Sequence, residues 1–250
     1  MSVILVFAFS VSTLAGGAQS WYCVRNKDHK QPIVGSDISW VEKCGGYYID
    51  HAHGDTSSEK VVYLTFDAGY ENGNVAKILD VMRDKQVRGA FFILGHLVTE
   101  NTELVKRMAD EGHLVCNHTD SHPDVTKMDD FETFKGELEA LEALYREHTG
   151  RELSRYFRPP EGRFNGQTLE YAQRLGYKTV FWSFAYADWD NGAQMSELKA
   201  KAKILDNVHN GAVLLLHPTS ATNAAILSDV IDALISQGYS FGSLDELTQQ

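Results

Sequence analysis

The sequence predicts an α/β fold over residues 61–250, and two observations lead to it. Short runs rich in β-branched and aromatic residues alternate with longer segments whose apolar residues recur at helical spacing. Seven such strand–helix units follow one another, an alternation typical of parallel βαβ units. The units fit either an open doubly wound sheet or a compact, distorted barrel. No glycine-rich phosphate fingerprint follows the first strand, which disfavours a nucleotide-binding sheet.

The first predicted strand starts at Val61 with the apolar, β-prone run VVYLTF, which stops at Asp67 and Gly69. A short apolar run that ends in turn residues is typical of a buried strand. Apolar residues at 75, 78, 79 and 82 then predict a helix over Val75–Lys85. Asp67 therefore lies where a buried strand meets a loop, the edge at which α/β folds place their chemistry. The alternative is a turn or helix-capping role.

The remaining elements continue the alternation. The other predicted strands are 89–94, 113–116, 156–158, 178–183, 212–216 and 239–242. The other predicted helices are 102–111, 129–148, 168–175, 196–208, 221–237 and 244–250. Gly112, Gly150 and Gly176 follow three of these helices, as expected of C-terminal caps. Asp129 or Asp130 is predicted to cap the start of helix 129–148.

The N-terminus predicts a signal peptide over residues 1–18 and an ordered extension over residues 19–60 that packs on the barrel. The apolar run 3–15 is short for a transmembrane helix, and small residues at Gly16 and Ala18 suit cleavage after Ala18. No Lys or Arg precedes Arg25, so the usual basic segment is missing. We therefore expect an exported protein, with an uncleaved membrane anchor as the alternative.

The three cysteines do not form a disulfide framework, since their number is odd in a chain of this size. Cys23 and Cys44 flank an irregular stretch and could pair in an exported protein. Cys116 lies in the apolar run HLVC and is predicted to be a buried thiol.

The net charge of −11 disfavours a nucleic-acid partner, because phosphate contacts need basic surface. It does not exclude a small anionic substrate held by one or two local cations. We expect a monomer.

Polar residues recur at the carboxyl ends of the predicted strands. They are Asp67, His118 and His122, Arg158, Asp188 and Trp189, and His217. Each alone is compatible with a turn residue or a surface ion pair. Their coincidence on one edge favours a functional site, since a barrel would gather them at one mouth.

Five motifs in order, TFDAG, HTDSH, RPPEG, ADWD and LLLH, cover about residues 61–218. In them the sequence resembles the polysaccharide deacetylases, also called the NodB-like domain or carbohydrate esterase family 4. The longer matches TFDAGYENG, VFWS and NKDHK are similar to one branch, the delta-lactam-biosynthetic de-N-acetylases of spore-forming bacteria. The resemblance implies a distorted (β/α)7-type barrel. It also implies action on the glycan strand of peptidoglycan, at the cell wall or between the spore membranes.

The resemblance implies a metal-assisted hydrolysis. By its motifs, His118 and His122 bind a divalent metal, with zinc expected, and imidazole is a good zinc ligand. Asp67 is the general base, and Arg158 holds it ionised. His217 is the general acid, and Asp188 tunes its pKa.

The resemblance also implies substrate contacts around the mouth. The backbone N–H of Glu161 would stabilise the oxyanion, and Leu215 and Trp189 would wall the acetyl methyl. If the substrate is muramic acid without its peptide, its lactyl carboxylate needs a local cation. Arg163, just past the Pro-Pro turn, is the nearest candidate in sequence, and a solvated loop residue is the alternative.

Position 68 departs from the family pattern. Most members carry a second Asp there as a third metal ligand, whereas this chain has Ala68. The loss should weaken metal affinity and leave a more Lewis-acidic ion. Water, Glu71 or His96 could fill the gap.

Three functions follow from these features. The first is removal of the N-acetyl group from peptide-free N-acetylmuramic acid in peptidoglycan, leading to muramic delta-lactam in spore cortex. The second is deacetylation of N-acetylglucosamine in peptidoglycan or chitin-like oligosaccharides. The third, motivated by Ala68, is a non-catalytic carbohydrate-binding domain. The complete acid–base set argues against the third, because binding alone needs no such set.

Overall fold

The computed structural model describes residues 17–25 and 27–249. Ten strands lie in these residues: β1 Gln19–Ser20, β2 Gly46–Tyr47, β3 Lys60–Ala68, β4 Ala90–Ile93, β5 Leu114–Asn117, β6 Ser154–Phe157, β7 Arg163–Phe164, β8 Lys178–Val180, β9 Ala212–Leu216 and β10 Tyr239–Phe241. The α-helices of the same residues are α1 Val75–Lys85, α2 Gly95–Glu100, α3 Thr102–Asp110, α4 Phe131–Thr149, α5 Gly166–Arg174, α6 Glu197–Asn207, α7 Ala221–Ser236 and α8 Leu244–Leu247.

A curled parallel sheet forms the centre of the described chain. Its strands run in the order β10-β3-β4-β5-β6-β8-β2, and β9 pairs with β3. Every neighbouring pair in it is parallel. Just past β8, Phe184 forms a parallel bridge to Leu214 of β9, so the sheet curls back on itself. The predicted distorted barrel is therefore confirmed, and the open doubly wound alternative is wrong.

The side chains of β3 alternate between two apolar clusters. Val62, Leu64 and Phe66 join the cluster that includes the buried faces of α1 and α7. Val61 and Tyr63 join the cluster inside the curled sheet. Because alternate strand residues share a face, the inner face of β3 runs on toward its carboxyl end, at the mouth of the barrel.

The N-terminal extension packs along the sheet. β1 pairs antiparallel with β7, and β2 adds a parallel strand beside β8. Trp21 is 6% exposed, stacks on Phe181 with ring centroids 4.4 Å apart, and donates its indole N–H to the Trp182 carbonyl at 2.7 Å. Asp50 is fully buried and accepts a hydrogen bond from the Tyr63 hydroxyl at 2.5 Å. These contacts fix the extension to the segment that follows β8 and to β3.

The structure corrects several predicted bounds. β8 ends at Val180 and not at 183, because the carbonyls of Val180 and Phe181 accept hydrogen bonds from Arg158. Helix α5 starts at Gly166, before the predicted 168, because Asn165 and Thr168 form a capping box. Asp130 caps α4, as one of the two predicted alternatives. The periodicity missed α2, which is too short to show a clear pattern.

The N-terminal predictions meet the described residues only in part. The predicted signal peptide or anchor falls mainly on residues 1–16, outside the part that the structure describes. Among residues 17–25 and 27–249, no helix has both the length and the apolar character needed to cross a bilayer. The pairing of Cys23 with Cys44 is not formed, because both are free thiols. The Cys23 thiol instead lies 3.1 Å from the Ser183 carbonyl oxygen, and Cys116 is buried as predicted.

Candidate active site

The carboxyl ends of five strands bring the predicted polar residues to one mouth. Asp67 is the next-to-last residue of β3. His118 directly follows β5, Arg158 directly follows β6, and His217 directly follows β9. Asp188 lies further along the loop after β8. Direct contacts join four of these residues into two pairs, Asp67 with Arg158 and His217 with Asp188.

The first pair joins Asp67 to Arg158. The Arg158 Nη1 donates to Asp67 Oδ1 at 2.8 Å. Burial alone would raise the pKa of Asp67, but the charge and hydrogen bond of Arg158, together with the charge of His217, outweigh burial and hold the pKa below its ordinary value. The Asp67 side chain is 11% exposed, so the carboxylate is ionised and still reachable from the mouth.

Arg158 is fully buried, and its position is set by the barrel interior. Its Nε donates to the Val180 carbonyl at 3.0 Å, and its Nη2 donates to Thr65 Oγ1 at 2.9 Å and to the Phe181 carbonyl at 3.2 Å. The guanidinium also lies over the Phe92 ring, 4.1 Å from its centroid. Because these contacts use the planar fork of Arg, a Lys at this position would not reproduce them.

His118 lies beside this pair with a fixed tautomer. Its Nδ1 is 2.7 Å from the Arg158 carbonyl oxygen, which can only accept, so Nδ1 carries the proton. Burial is the main cause that lowers the pKa of His118 to about 4, so the ring is neutral. Its unprotonated Nε2 lies 3.5 Å from Asp67 Oδ2. Two atoms bearing lone pairs thus face each other.

The loop after β5 holds His122, and the residue that follows His118, in strained backbone. Thr119 and His122 have φ of 73° and 59°, in the left-handed region that non-glycine residues rarely adopt. Asn117 is buried and accepts the Thr119 N–H at 2.8 Å, while Thr119 Oγ1 accepts the His122 N–H at 3.0 Å. These turns bring the His118 and His122 rings to a centroid distance of 5.1 Å, edge to face. Such strain is concentrated at functional sites.

The second pair joins His217 to Asp188. Asp188 Oδ1 lies 2.7 Å from His217 Nδ1, and Oδ2 accepts the His217 backbone N–H at 2.8 Å. Burial opposes a charged His217, but the hydrogen bond and charge of Asp188 outweigh it and raise the pKa of His217 above its ordinary value. Asp188 is 1% exposed, whereas His217 is 24% exposed. The ring therefore presents its Nε2 edge to the mouth as a proton carrier.

The donors of His118 and His122 fit a divalent metal. A metal-binding imidazole commonly donates its other N–H to a carbonyl, as His118 does to Arg158. A cation would also relieve the lone-pair contact between His118 Nε2 and Asp67 Oδ2. No group of three or more His, Cys, Asp or Glu side chains in the described residues is arranged to hold a metal on its own. A metal held by these two imidazoles would therefore complete its coordination with non-protein ligands.

Of the two side chains predicted as possible third ligands, Glu71 is engaged in another contact. Glu71 caps α1 by accepting the backbone N–H groups of Gly73 and Val75, each at 2.9 Å. His96 is exposed on α2. Ala68 is fully buried in the apolar cluster between sheet and helices.

The predicted substrate contacts lie on the rim with different degrees of exposure. Glu161 has a φ of 56° and is exposed. Arg163 Nη1 lies 3.2 Å from Asp124 Oδ2, and its buried Nε has no hydrogen-bond partner in the described chain. Leu215 is buried in β9. Trp189 is 62% exposed, so most of its indole faces solvent and only a bound ligand would cover it.

Sequence reasoning missed residues that hydrogen bond to the site residues and so hold them in place. Thr65 binds Arg158, Asn117 shapes the histidine loop, and Asn223 donates to Asp188 Oδ2 at 2.6 Å. Thr65 and Asn117 had a weak signal, since each is a polar residue in an apolar strand next to a predicted site residue. Asn223 had none, because it lies in a helix that carried no chemistry.

Comparison with known proteins gives concordant results. Residues 54–180 match the family model of the polysaccharide deacetylases. The chain is 40% identical over 245 residues to the peptidoglycan-N-acetylmuramic acid deacetylase PdaA of Bacillus subtilis, covering 94% of this chain and 91% of that protein. It is 34% identical over 196 residues to the peptidoglycan-N-acetylglucosamine deacetylase PgdA of Listeria monocytogenes, covering 76% of this chain and 39% of that protein. The structure of Bacillus subtilis PdaA, a family 4 carbohydrate esterase, superposes with a TM-score of 0.85 at 39% identity, covering 92% of this chain and 96% of that one.

Proposed function

Because this chain belongs to the polysaccharide deacetylase family, we propose that it removes the N-acetyl group from peptide-free N-acetylmuramic acid in peptidoglycan. One observation supports hydrolysis above all others. A carboxylate with a lowered pKa, Asp67, and an imidazole with a raised pKa, His217, share one mouth, and each has its own buried partner. Two titratable groups whose environments push their pKa values apart are typical of an acid–base pair.

In the proposed reaction, Asp67 takes a proton from the attacking water, and the water oxygen bonds to the acetyl carbonyl carbon. Arg158 keeps Asp67 anionic and aimed at the mouth through its 2.8 Å hydrogen bond. When the C–N bond breaks, His217 gives its proton to the departing nitrogen. Acetate and a free amine result.

We propose that His118 and His122 hold the divalent metal, with zinc expected for imidazole ligands. Members of this family are generally metal-dependent. The chemistry that a bound zinc supplies at such a site is polarisation of the acetyl carbonyl and a lowered pKa of water. The Arg158 carbonyl orients His118 for this role by fixing its tautomer.

The rim residues are proposed to position the acetyl group and the lactyl carboxylate. The Glu161 N–H would donate to the developing oxyanion, and Leu215 with Trp189 would contact the methyl. Arg163 would bind the lactyl carboxylate, and its unpartnered Nε is a donor that such an anion could satisfy. Its ion pair with Asp124 means that the substrate carboxylate would compete with a protein carboxylate. The freed amine and the free lactyl carboxyl are the two groups that a muramic delta-lactam joins.

Mass spectrometry of defined muropeptides after incubation with the protein and zinc tests this function. We expect muramic residues without a stem peptide to lose about 42 Da, the difference in mass between an acetyl group and the hydrogen that replaces it. Efficient cleavage of peptide-bearing chains, or loss on glucosamine residues alone, would favour the second function, N-acetylglucosamine deacetylation, which the Listeria relative carries in its name. Binding without any mass loss would favour a carbohydrate-binding domain.

We also propose export, with cleavage after Ala18, so that the enzyme meets its substrate outside the cytoplasm. The proposal rests on the apolar run 3–15 and the small residues that follow it. N-terminal sequencing of the protein from its native host tests it. A chain that begins at Met1 and lies in the cytosol would contradict export.

A further inference from the structure

We propose that Asn223 is a positioning residue for the general acid: it holds the Asp188 carboxylate in the orientation from which Asp188 controls His217. This inference rests on the proposed function, since it assigns a role within that reaction. Asn223 lies in the first turn of α7, 1% exposed, and does not reach the mouth itself.

Three hydrogen bonds aim the Asn223 side chain. Its Nδ2 donates to Asp188 Oδ2 at 2.6 Å and to the His217 carbonyl oxygen at 3.1 Å. The Tyr186 hydroxyl hydrogen bonds to Asn223 Oδ1. One amide therefore contacts both members of the acid pair and a tyrosine behind it.

Asp188 Oδ2 and the His217 carbonyl oxygen can only accept, so they decide which way the Asn223 amide points: its nitrogen faces them and its oxygen faces Tyr186. Burial, reinforced by the charge of Asp188, raises the pKa of Tyr186, so its hydroxyl keeps its proton. The hydroxyl therefore donates to the amide oxygen that faces it. The reversed amide would direct an oxygen at a carboxylate. The chain Tyr186–Asn223–Asp188–His217 thus has a single consistent direction of donation.

This arrangement leaves one carboxylate oxygen of Asp188, Oδ1, to bond with the His217 imidazole. Oδ2 is occupied by the His217 backbone N–H and by Asn223, so Oδ1 faces His217 Nδ1. That bond keeps the Nδ1 proton in place and leaves Nε2 to carry the catalytic proton. Without Asn223, the Asp188 carboxylate could rotate about its Cβ–Cγ bond and lose the hydrogen bond between Oδ1 and His217 Nδ1.

An isosteric substitution separates positioning from structural support. Asn223→Asp keeps the shape but directs a carboxyl group at Asp188. On the basic limb the introduced carboxyl group ionises, and the added negative charge favours the charged form of His217. The other charged groups that act on His217 are Asp67 and Arg158 across the mouth, which the substitution leaves in place. Because the general acid must be protonated, the basic limb of the kcat profile should move to higher pH.

Asn223→Ala removes the donor and the volume together. We expect kcat to fall about tenfold to a hundredfold, the scale of one hydrogen bond to a charged group, with KM nearly unchanged. Circular dichroism and thermal unfolding check that each variant is folded. If Asn223→Ala does not fold, the isosteric variant alone carries the test.

Two controls match these variants. Asn207→Asp adds the same charge at the end of α6, where the Asn207 amide contacts only the Lys203 carbonyl among the hydrogen bonds of the described chain. Thr222→Val alters the same turn of α7 without touching Asp188, since Thr222 Oγ1 donates to the Met195 carbonyl. Both should keep the wild-type pH profile.

The pH dependence of kcat and an NMR titration of the His217 ring are measured together on the full chain. A shift of the basic limb and of the ring titration in Asn223→Asp, absent from Asn207→Asp, supports the inference. A folded Asn223→Asp variant with the wild-type limb and ring titration overturns it. If the wild-type protein deacetylates no muropeptide, the proposed function fails separately, and the ring titration still tests the contact between Asn223 and the acid pair.

Discussion

Arg158 offers a test of the site that requires no substrate. The substitution Arg158→Met fills the same channel but removes the donors to Asp67, Thr65, Val180 and Phe181. It leaves the Asp67 carboxylate, which is 11% exposed, and two main-chain carbonyls without the Arg158 donors. Removing one member of a buried ion pair costs about 3–5 kcal/mol, and each stranded acceptor costs about 1–3 kcal/mol, partly overlapping with it. We expect a loss of about 4 kcal/mol in the free energy of unfolding, toward the middle of that range because water reaches Asp67 from the mouth.

Urea unfolding of the metal-free protein measures this loss, and a double-mutant cycle assigns it. Asp67→Asn in the Arg158→Met background removes the stranded charge, so the double variant should recover about 1–3 kcal/mol relative to additivity. Arg163→Met is the matched control: its guanidinium is 36% exposed, so it should cost less than about 1 kcal/mol. A loss below about 1 kcal/mol in Arg158→Met, or strict additivity in the cycle, would refute the pairing of Arg158 with Asp67.

Five further substitutions test the reaction, its metal and its substrate. Asp67→Asn should keep the fold and zinc binding yet lose nearly all turnover, and wild-type kcat in this variant would reject its role as base. His217→Ala should lower kcat about a hundredfold or more. Asp188→Asn should move the basic limb of the kcat profile to lower pH. The substitution removes the carboxylate that raises the pKa of His217, so burial, which lowers that pKa, then has the larger effect. Ala68→Asp should lower the melting temperature of the metal-free protein, since it places a carboxylate in the apolar cluster against the helices. It should bind zinc more tightly by calorimetry if this carboxylate, at the last residue of β3, turns toward the histidines; unchanged affinity would mean that position 68 does not face the metal. Arg163→Ala should raise KM for peptide-free muramic substrates about tenfold and spare neutral glucosamine oligomers, whereas equal losses on both would exclude carboxylate reading.

The sequence determined the alternation of strands and helices and the strand ends at which chemistry is placed. These features are local. The run before Asp67 and the spacing of apolar residues in Val75–Lys85 depend on side chains close together in the chain, and both elements form as predicted. Because parallel strands align their carboxyl ends, the same pattern also predicted that Asp67, His118 and His217 would share a mouth.

Tertiary structure decided how those residues are paired and held. Asn223 meets Asp188 because α7 packs beside the loop after β8, a contact between residues 35 positions apart that no periodicity encodes. The end of β8 is set by Arg158, which takes the carbonyls that a longer strand would use. Cys23 contacts the Ser183 carbonyl and not Cys44, because the N-terminal extension packs against the segment that follows β8. Composition and local periodicity fix which residues can do chemistry, whereas long-range packing fixes the protonation state and direction of each one.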